Sequence, residues 1–218
     1  MKLSCELKKS VLSRAKCDLV VNGEVVVTLQ ARNVPSVELP PRERYYVTLG
    51  HKVYSAITVL IPESDNVHLY VTERNKSFSF DVAGGRLEVI SLSRLLGALC
   101  DEGQIPYLEA WEKTAFFAML YIELDREDAI LESPFLLEIR EALAEIGEGE
   151  LADRLLRAME ACEIALPLAP MKKLTPEEET ALIESYHILW NEAESAPKGE
   201  ERHLYLSILD YIYEHREK

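Results

Sequence analysis

The chain has 218 residues, of which 48% are hydrophobic, and this is enough apolar material to bury the core of one large domain or two small ones. Its 38 Asp and Glu outnumber its 24 Lys and Arg, which gives a net charge of −14. Charges interrupt the N-terminal segment, and no apolar run approaches the roughly 18 residues of a membrane span. We therefore exclude a disordered chain, a secretory signal and a membrane span, and expect a cytoplasmic protein.

The charge is divided unevenly along the chain, with the break at Leu92. Residues 1–92 contain 12 Lys and Arg and 10 Asp and Glu, a net charge of +2, whereas residues 93–218 contain 12 and 28, a net charge of −16. The hydrophobic period changes from that of strands to that of helices at the same place. The sequence therefore predicts an α+β protein with two domains. The first, residues 1–92, is an antiparallel β-barrel or sandwich of about eight short strands, and the second, residues 93–218, is an acidic bundle of five or six helices.

The four cysteines are too widely spaced for a CxxC zinc site, which indicates buried free thiols. The chain also has only five Asn and two Gln, a weak sign of a thermophilic source. If the source is thermophilic, a disulfide between Cys5 and Cys17 becomes plausible, because intracellular proteins of hyperthermophiles can carry disulfides.

Turn signals in the first half predict three hairpins after a first strand over Lys2–Lys8. Asn22-Gly23, between two β-branched runs, suits a type I′ turn. Residues 43–49 and 52–60 form a second predicted hairpin through a two-residue turn at Gly50-His51. The third predicted hairpin turns at Arg74-Asn75 and places six apolar side chains on one face of the sheet. These are Val67, Leu69, Val71, Phe78, Phe80 and Val82.

The polar face of this third hairpin suggests a metal or acid–base site. The Arg74-Asn75 turn places His68 opposite Asp81, and a further two-residue turn at Gly84-Gly85 places Asp81 opposite Glu88. One imidazole and two carboxylates in a row can bind a divalent cation, and a carboxylate beside a histidine favours acid–base chemistry. The alternative is an ordinary polar sheet face on which His68 relieves the repulsion between two neighbouring acids.

Aromatic and basic residues intermingle in the first half, a mixture typical of a barrel that binds single-stranded nucleic acid. The alternative is that half of the tyrosines belong to the core. The residues concerned are Arg42, Arg44, Tyr45, Tyr46, Lys52, Tyr54, Tyr70 and Arg74. The connection over residues 31–42 is long and proline-containing, and it is either functional or a crossover between two sheets.

The second half reads as helices joined by short loops, the pattern of an antiparallel bundle. Residues 106–124 are apolar on almost every side, which predicts a helix at the centre of the bundle. Thr175, Pro176 and Glu178 form a capping-box start signal for a later helix. The last two predicted helices carry more aromatic residues than one seam can bury, which predicts an interface with a partner or a second copy. These are Tyr186, Trp190, Tyr205, Tyr211 and Tyr213.

The sequence contains no P-loop, dinucleotide-binding, zinc-protease or hydrolase-elbow motif. Our leading hypothesis is a non-catalytic adaptor or subunit of a larger complex that needs no cofactor and whose acidic helical domain contacts a basic protein. The first alternative is a nucleic-acid-associated module in which the β domain binds the strand. The second is a metal-dependent enzyme that uses the row of His68, Asp81 and Glu88.

Overall fold

A computed structural model describes residues 1–8, 16–30, 33–50, 56–74, 77–126, 130–161 and 200–216. The chain divides into two compact units, Met1–Leu96 and Gly97–Lys218. In the part of the chain that the structure describes, nine strands precede the first α-helix, so the α+β prediction is confirmed. The strands are β1 (Lys2–Lys8), β2 (Cys17–Val21), β3 (Glu24–Leu29), β4 (Ser36–Glu38), β5 (Tyr45–Leu49), β6 (Ala56–Pro62), β7 (Asn66–Arg74), β8 (Ser77–Ala83) and β9 (Gly85–Ser91).

The strands form two open sheets, in the orders β4-β1-β7-β8 and β3-β2-β5-β6-β9. A closed barrel is not formed by the strands that the structure describes. The connection over residues 31–42 contains β4. It leads from β3 in the five-stranded sheet to β4 in the four-stranded sheet, and the chain then returns to the five-stranded sheet at β5. This path agrees with the crossover interpretation of that connection.

The four-stranded sheet is mixed, so the prediction of a purely antiparallel domain was wrong. β1 lies between β4, to which it is antiparallel, and β7, to which it is parallel. Leu3, Cys5 and Leu7 are at most 4% exposed, because they alternate with polar residues and all point to the same face. A single hydrophobic cluster contains these three side chains together with residues of the five-stranded sheet, such as Leu19 and Tyr45.

The turn predicted at Asn22-Gly23 is confirmed. Asn22 and Gly23 have φ angles of 52° and 79°, the positive values that a type I′ turn requires. Asn22 is only 6% exposed, and its Oδ1 accepts a hydrogen bond from the backbone N–H of Tyr46 at 2.9 Å. The side chain therefore ties the hairpin turn to β5.

We expect Asn22→Gly to lower the free energy of unfolding by about 1–3 kcal/mol, because glycine keeps the positive φ but leaves the buried N–H of Tyr46 without this acceptor. Asn22→Ala should cost roughly 1–2 kcal/mol more, since alanine is also strained in the left-handed region. Urea denaturation of the two variants separates the two effects, and equal losses would show that backbone strain contributes nothing.

The second hairpin forms, but with another register. Tyr45 pairs with Leu60 and Val47 with Thr58, whereas a two-residue turn at Gly50-His51 would have placed Tyr45 opposite Ala56. Gly50 does have the positive φ expected of a turn, at 71°. His51, like all of residues 51–55, lies outside the described residues. The connection between the two strands is thus longer than the prediction allowed.

The third hairpin is shifted by two residues from its predicted register. Arg74 pairs with Ser77 and Val71 with Phe80, so the turn lies one residue later than predicted. Because the shift is an even number, the apolar face is preserved while every cross-strand partner changes. The chain then passes through Gly84, with a φ of 83°, into a strand of the other sheet. A Cβ atom at Gly84 would lie 2.5 Å from the backbone oxygen of Asn66, which explains glycine at this corner.

The regular elements that the structure describes in the second unit are helices. α1 (Ser93–Cys100) begins in the first unit, and α2 (Ala110–Arg126), α3 (Leu136–Glu145), α4 (Gly149–Ala161) and α5 (Glu200–His215) follow. A short 3-10 helix, Glu102–Tyr107, precedes α2. The predicted central helix is α2, which packs against both α3 and α5 and buries Phe116, Ala118 and Ile122. The start signal at Thr175 lies outside the described residues.

Candidate functional site

The predicted row of His68, Asp81 and Glu88 is not formed. The shifted register places His68 opposite Ala83 and Asp81 opposite Tyr70. Glu88 lies in the other sheet, opposite Val59, because the chain changes sheets at Gly84. Asp81 instead accepts a hydrogen bond from the backbone N–H of Val82 at 2.9 Å. The structure therefore removes the geometric basis of the predicted metal or acid–base row.

His68 has a different acidic neighbour, which comes from the parallel strand β1. Its Nε2 atom lies 3.6 Å from Glu6 Oε2, and both side chains are roughly one-third exposed, at 31% and 39%. The imidazole packs on the ring of Tyr70 with centroids 4.4 Å apart, and the ammonium of Lys8 lies 3.9 Å from the centre of the same ring. Glu6, Lys8, His68 and Tyr70 thus form one cluster on the polar face of β1 and β7.

This cluster is suited to holding two strands together rather than to chemistry. One imidazole and one carboxylate are too few for a metal centre, and the described residues contain no group of three His, Cys, Asp or Glu placed to bind an ion. The cation–π contact of Lys8 is worth about 0.5–1 kcal/mol at an exposed site. The sequence did not predict Glu6 as the acidic neighbour of His68. The parallel strands β1 and β7 are far apart in the chain and are not joined by a turn whose residues could have indicated their pairing.

Among the tyrosines predicted to stack on nucleic-acid bases, the three that the structure describes are engaged within the fold. Tyr45 and Tyr46 are only 1% and 3% exposed. The hydroxyl of Tyr45 donates to the backbone oxygen of Pro40 at 2.6 Å and accepts from the N–H of Arg42 at 3.1 Å, so it shapes the loop before β5. Burial raises the pKa of Tyr45. Tyr70 is engaged by His68 and Lys8.

The basic residues of that hypothesis are dispersed or outside the described residues. Arg42 is exposed, whereas the side chain of Arg44 is only 18% exposed and lies 3.8 Å from Glu43. Lys52 and Tyr54 lie outside the described residues, and the backbone of Arg74 lies at the end of β7. No cationic surface is assembled by the side chains that the structure describes in this group.

Among the aromatic residues predicted to form an interface on the last helices, the three that the structure describes are buried or half-buried. On α5, Tyr211 is 8% exposed, and its hydroxyl donates to Glu145 Oε1 at 2.5 Å. Burial raises the pKa values of both Tyr205 and Tyr211, and the hydrogen bond to Glu145 adds to the shift at Tyr211. Tyr213 is half-buried, with the guanidinium of Arg216 4.0 Å from its ring centre. Tyr186 and Trp190 lie outside the described residues.

A serine, a histidine and a carboxylate lie close together where Ser207 and His203 of α5 both contact Glu148. The hydrogen bonds among them do not connect in the order that nucleophilic catalysis requires. The hydroxyl of Ser207 donates to Glu148 Oε1 at 2.6 Å, and His203 Nε2 lies 3.4 Å from the same oxygen. An activated serine must instead donate to the imidazole, which takes up its proton. The carboxylate of Glu148 therefore links α5 to the end of α3, and the arrangement is structural.

Tyr107 is the most exposed large hydrophobic residue among those that the structure describes, and the sequence did not predict it as a site residue. Tyr107 is 76% exposed at the end of the 3-10 helix before α2. From Gly97 to Glu112 the sequence has four acids and no Lys or Arg. Three of these acids, Asp101, Glu102 and Glu109, are exposed. We call Asp101, Glu102, Tyr107 and Glu109 the Tyr107 surface.

Hydrogen bonds fix the segment that carries the Tyr107 surface at both of its ends. At the first end, Asp101 accepts from the N–H of Gly103 at 3.0 Å and from Gln104 Nε2 at 3.1 Å. At the second, the N–H of Glu109 donates to buried Glu112 at 2.8 Å, and Trp111 Nε1 donates to Glu109 at 3.1 Å. The exposure of Tyr107 is therefore imposed by a defined backbone conformation.

Comparisons with known proteins do not identify a relative: no family model matches the chain, and no curated protein or solved structure is significantly similar to it. In the part of the chain that the structure describes, no helix is both long and apolar enough to cross a membrane.

Proposed function

We propose that the protein is a non-catalytic adaptor, or a subunit of a larger complex, whose acidic helical unit binds a basic protein partner. The observation that carries this proposal is the Tyr107 surface, in which a 76% exposed tyrosine belongs to a segment that has exposed acids and no Lys or Arg. Tyrosine is a favoured anchor at protein interfaces, because it offers a large contact area together with a polar end.

Charge supports a basic partner over other classes. Residues 93–218 carry a net charge of −16, which repels nucleic acid and anionic membranes and steers a cationic surface towards the unit. Glu102 and Glu109 can pair with Lys or Arg of a partner, and the exposed ring of Tyr107 can receive a cation over its face. The binding surface that we propose thus differs from the aromatic group predicted on the last helices.

A photo-crosslinking amino acid in place of Tyr107, introduced in cells of the native source, tests this proposal. We expect a discrete protein adduct with a partner whose contacting segment is rich in Lys and Arg. The same reagent at Phe78, which is 41% exposed in the near-neutral β unit, is the matched control and should not give this adduct. Identical adducts at both positions would contradict the proposal.

The role of charge is tested by reversing Glu102, because Glu109 also accepts the hydrogen bond from Trp111 and its replacement would disturb the segment. Glu102→Lys should abolish the adduct at position 107, because it replaces attraction by repulsion. With the purified partner, Tyr107→Ala should weaken binding at least about tenfold, and binding to the unmodified protein should weaken as salt rises. An adduct that survives the charge reversal would exclude a basic partner at this surface.

A further inference from the structure

The five-stranded sheet that the structure describes ends in β9, an edge strand that is neither short nor bulged. β9 pairs with β6 in a regular register over all seven of its residues, from Gly85 to Ser91. At the other edge of the same sheet, β3 is interrupted by a register shift, and in the second sheet the edge strand β4 has only three residues. Long regular edges are templates for strand addition, whereas bulged and short edges are not. Val89, 64% exposed, adds apolar surface to the β9 edge.

The hydrogen bonds of the sheet show which residues of β9 present their backbone groups to the open edge. The N–H of Glu63 donates to the backbone oxygen of Gly84 at 3.0 Å, immediately before the ladder of β6 and β9 begins. Bonded and non-bonded pairs alternate in an antiparallel ladder, so Arg86 and Glu88 direct their backbone groups to β6. Leu87 and Val89 therefore direct theirs away from it.

We infer that β9 pairs with β9 of a second copy of this chain, antiparallel and with Leu87 opposite itself. In this register the outward N–H and C=O groups of the two Leu87 residues bond to each other, which joins the two five-stranded sheets into one. Arg86 of each copy then lies opposite Glu88 of the other. Such directly opposite residues form a non-hydrogen-bonded pair, in which Cα atoms are only about 4.5 Å apart and opposite charges attract.

The side chains select this register over its neighbours. Moving the twofold axis by one residue would place Glu88 opposite Glu88, or Arg86 opposite Arg86, and like charges directly opposite each other destabilise a sheet. With Leu87 at the axis, exposed Val89 lies opposite Gly85, which has no side chain to clash with it. Within one chain, Arg86 Nε already lies 3.4 Å from Glu88 Oε1, so both side chains occupy the same face of the sheet. In the proposed dimer, Glu88 and Arg86 of the second copy lie on this face as well.

The strand β8, at the remaining edge, does not offer the same complementarity. It has Asp81 as its single charged residue and therefore no opposite charge with which a second β8 could pair. A second copy is thus matched to β9 by charge as well as by backbone geometry. This inference is independent of the partner proposed for the helical unit, because Arg86 and Glu88 belong to the first unit and Tyr107 to the second.

Charge reversal of the full chain tests the inference by analytical ultracentrifugation. The unmodified protein should dimerise, and Arg86→Glu and Glu88→Arg should each raise the dimer dissociation constant at least tenfold, because each creates two like-charged pairs. The double variant R86E/E88R should restore dimerisation, since it exchanges the charges and keeps the pairs. Val89→Lys should also dissociate the dimer, whereas Val25→Lys, at a residue 44% exposed on β3, should not.

Three results would overturn the inference. One is a protein that is monomeric at every concentration tested. The second is a dimer that is indifferent to both single reversals, which would place the contact on another surface, such as β8 or the helical unit. The third is failure of R86E/E88R to restore the dimer while its circular dichroism shows intact strands. In that case the charges do not face each other across the proposed axis.

Discussion

Replacing Leu3 by alanine is expected to lower the free energy of unfolding of the β unit by about 2–5 kcal/mol, although the residue lies near the start of the chain. Leu3 is fully buried, opposite Val67 of β7 on one side and Val37 of β4 on the other. Alanine would leave a cavity between two strands that cannot close over it, because β1 lies in the interior of its sheet. The loss should appear in urea denaturation followed by β-sheet circular dichroism.

Lys2→Ala is the matched control for this prediction. Lys2 is exposed on the same strand and should change stability by less than about 0.5 kcal/mol. If Leu3→Ala also costs less than that, β1 is not an interior strand of the β unit. The comparison therefore tests the interior position of β1 between β4 and β7, since a strand at a sheet edge would tolerate the same change far better.

The β unit is expected to lose stability steeply in alkaline solution because of Cys5. Burial raises the pKa of this thiol from 9.0 to about 12. Below pH 9 the thiol is protonated in both folded and unfolded chains, so its contribution to stability is fully present. As the pH rises towards 12, the unfolded chain releases the proton and the folded chain keeps it. The free energy of unfolding should then fall by about 1.4 kcal/mol for each pH unit, roughly 4 kcal/mol in all.

Cys5→Ala isolates this effect, because alanine has no proton to lose. The tyrosines whose pKa values are raised by burial, Tyr45, Tyr205 and Tyr211, titrate in both proteins and cancel in the comparison. The difference in unfolding free energy between the parent and the variant should be constant below pH 9 and shrink above it. A difference that stays constant up to pH 12 would contradict the prediction.

Cys5 and Cys17 are both free thiols in the structure, which does not form the disulfide considered for them.

Sequence pattern predicted those parts of the β unit that depend on neighbouring residues. Asn22-Gly23 fixed its hairpin because both residues accept positive φ angles, and alternation along β7 and β8 assigned the apolar face correctly, although Phe78 on that face is 41% exposed. The same alternation could not determine the register, since a shift of two residues leaves the same side chains on the same face. At Gly84 the sequence indicates a turn, but the change of sheet depends on the close approach of the Asn66 backbone, which is a tertiary contact.

The candidate sites were predicted less well than the elements, for a related reason. Adjacent residues of a strand point to opposite faces, so the pair Tyr45 and Tyr46 suggested that one ring faces solvent, but the fold buries both. Tyr107 was overlooked because it follows Pro106 in a segment that reads as the start of a long apolar helix. The segment is instead a separate 3-10 helix with no buried residue, and this break exposes the tyrosine.

The position of β1 between β4 and β7 also determines the order in which the protein can be assembled. Each residue of β1 pairs with a residue 64 positions later, as Lys2 does with Asn66 and Lys8 with Thr72. A ribosome must therefore release β7 before the first strand has its parallel neighbour, and closing so long a loop is slow. During that interval the apolar residues Leu3, Cys5 and Leu7 remain accessible to chaperones, whereas the hairpin at Asn22-Gly23 can form at once.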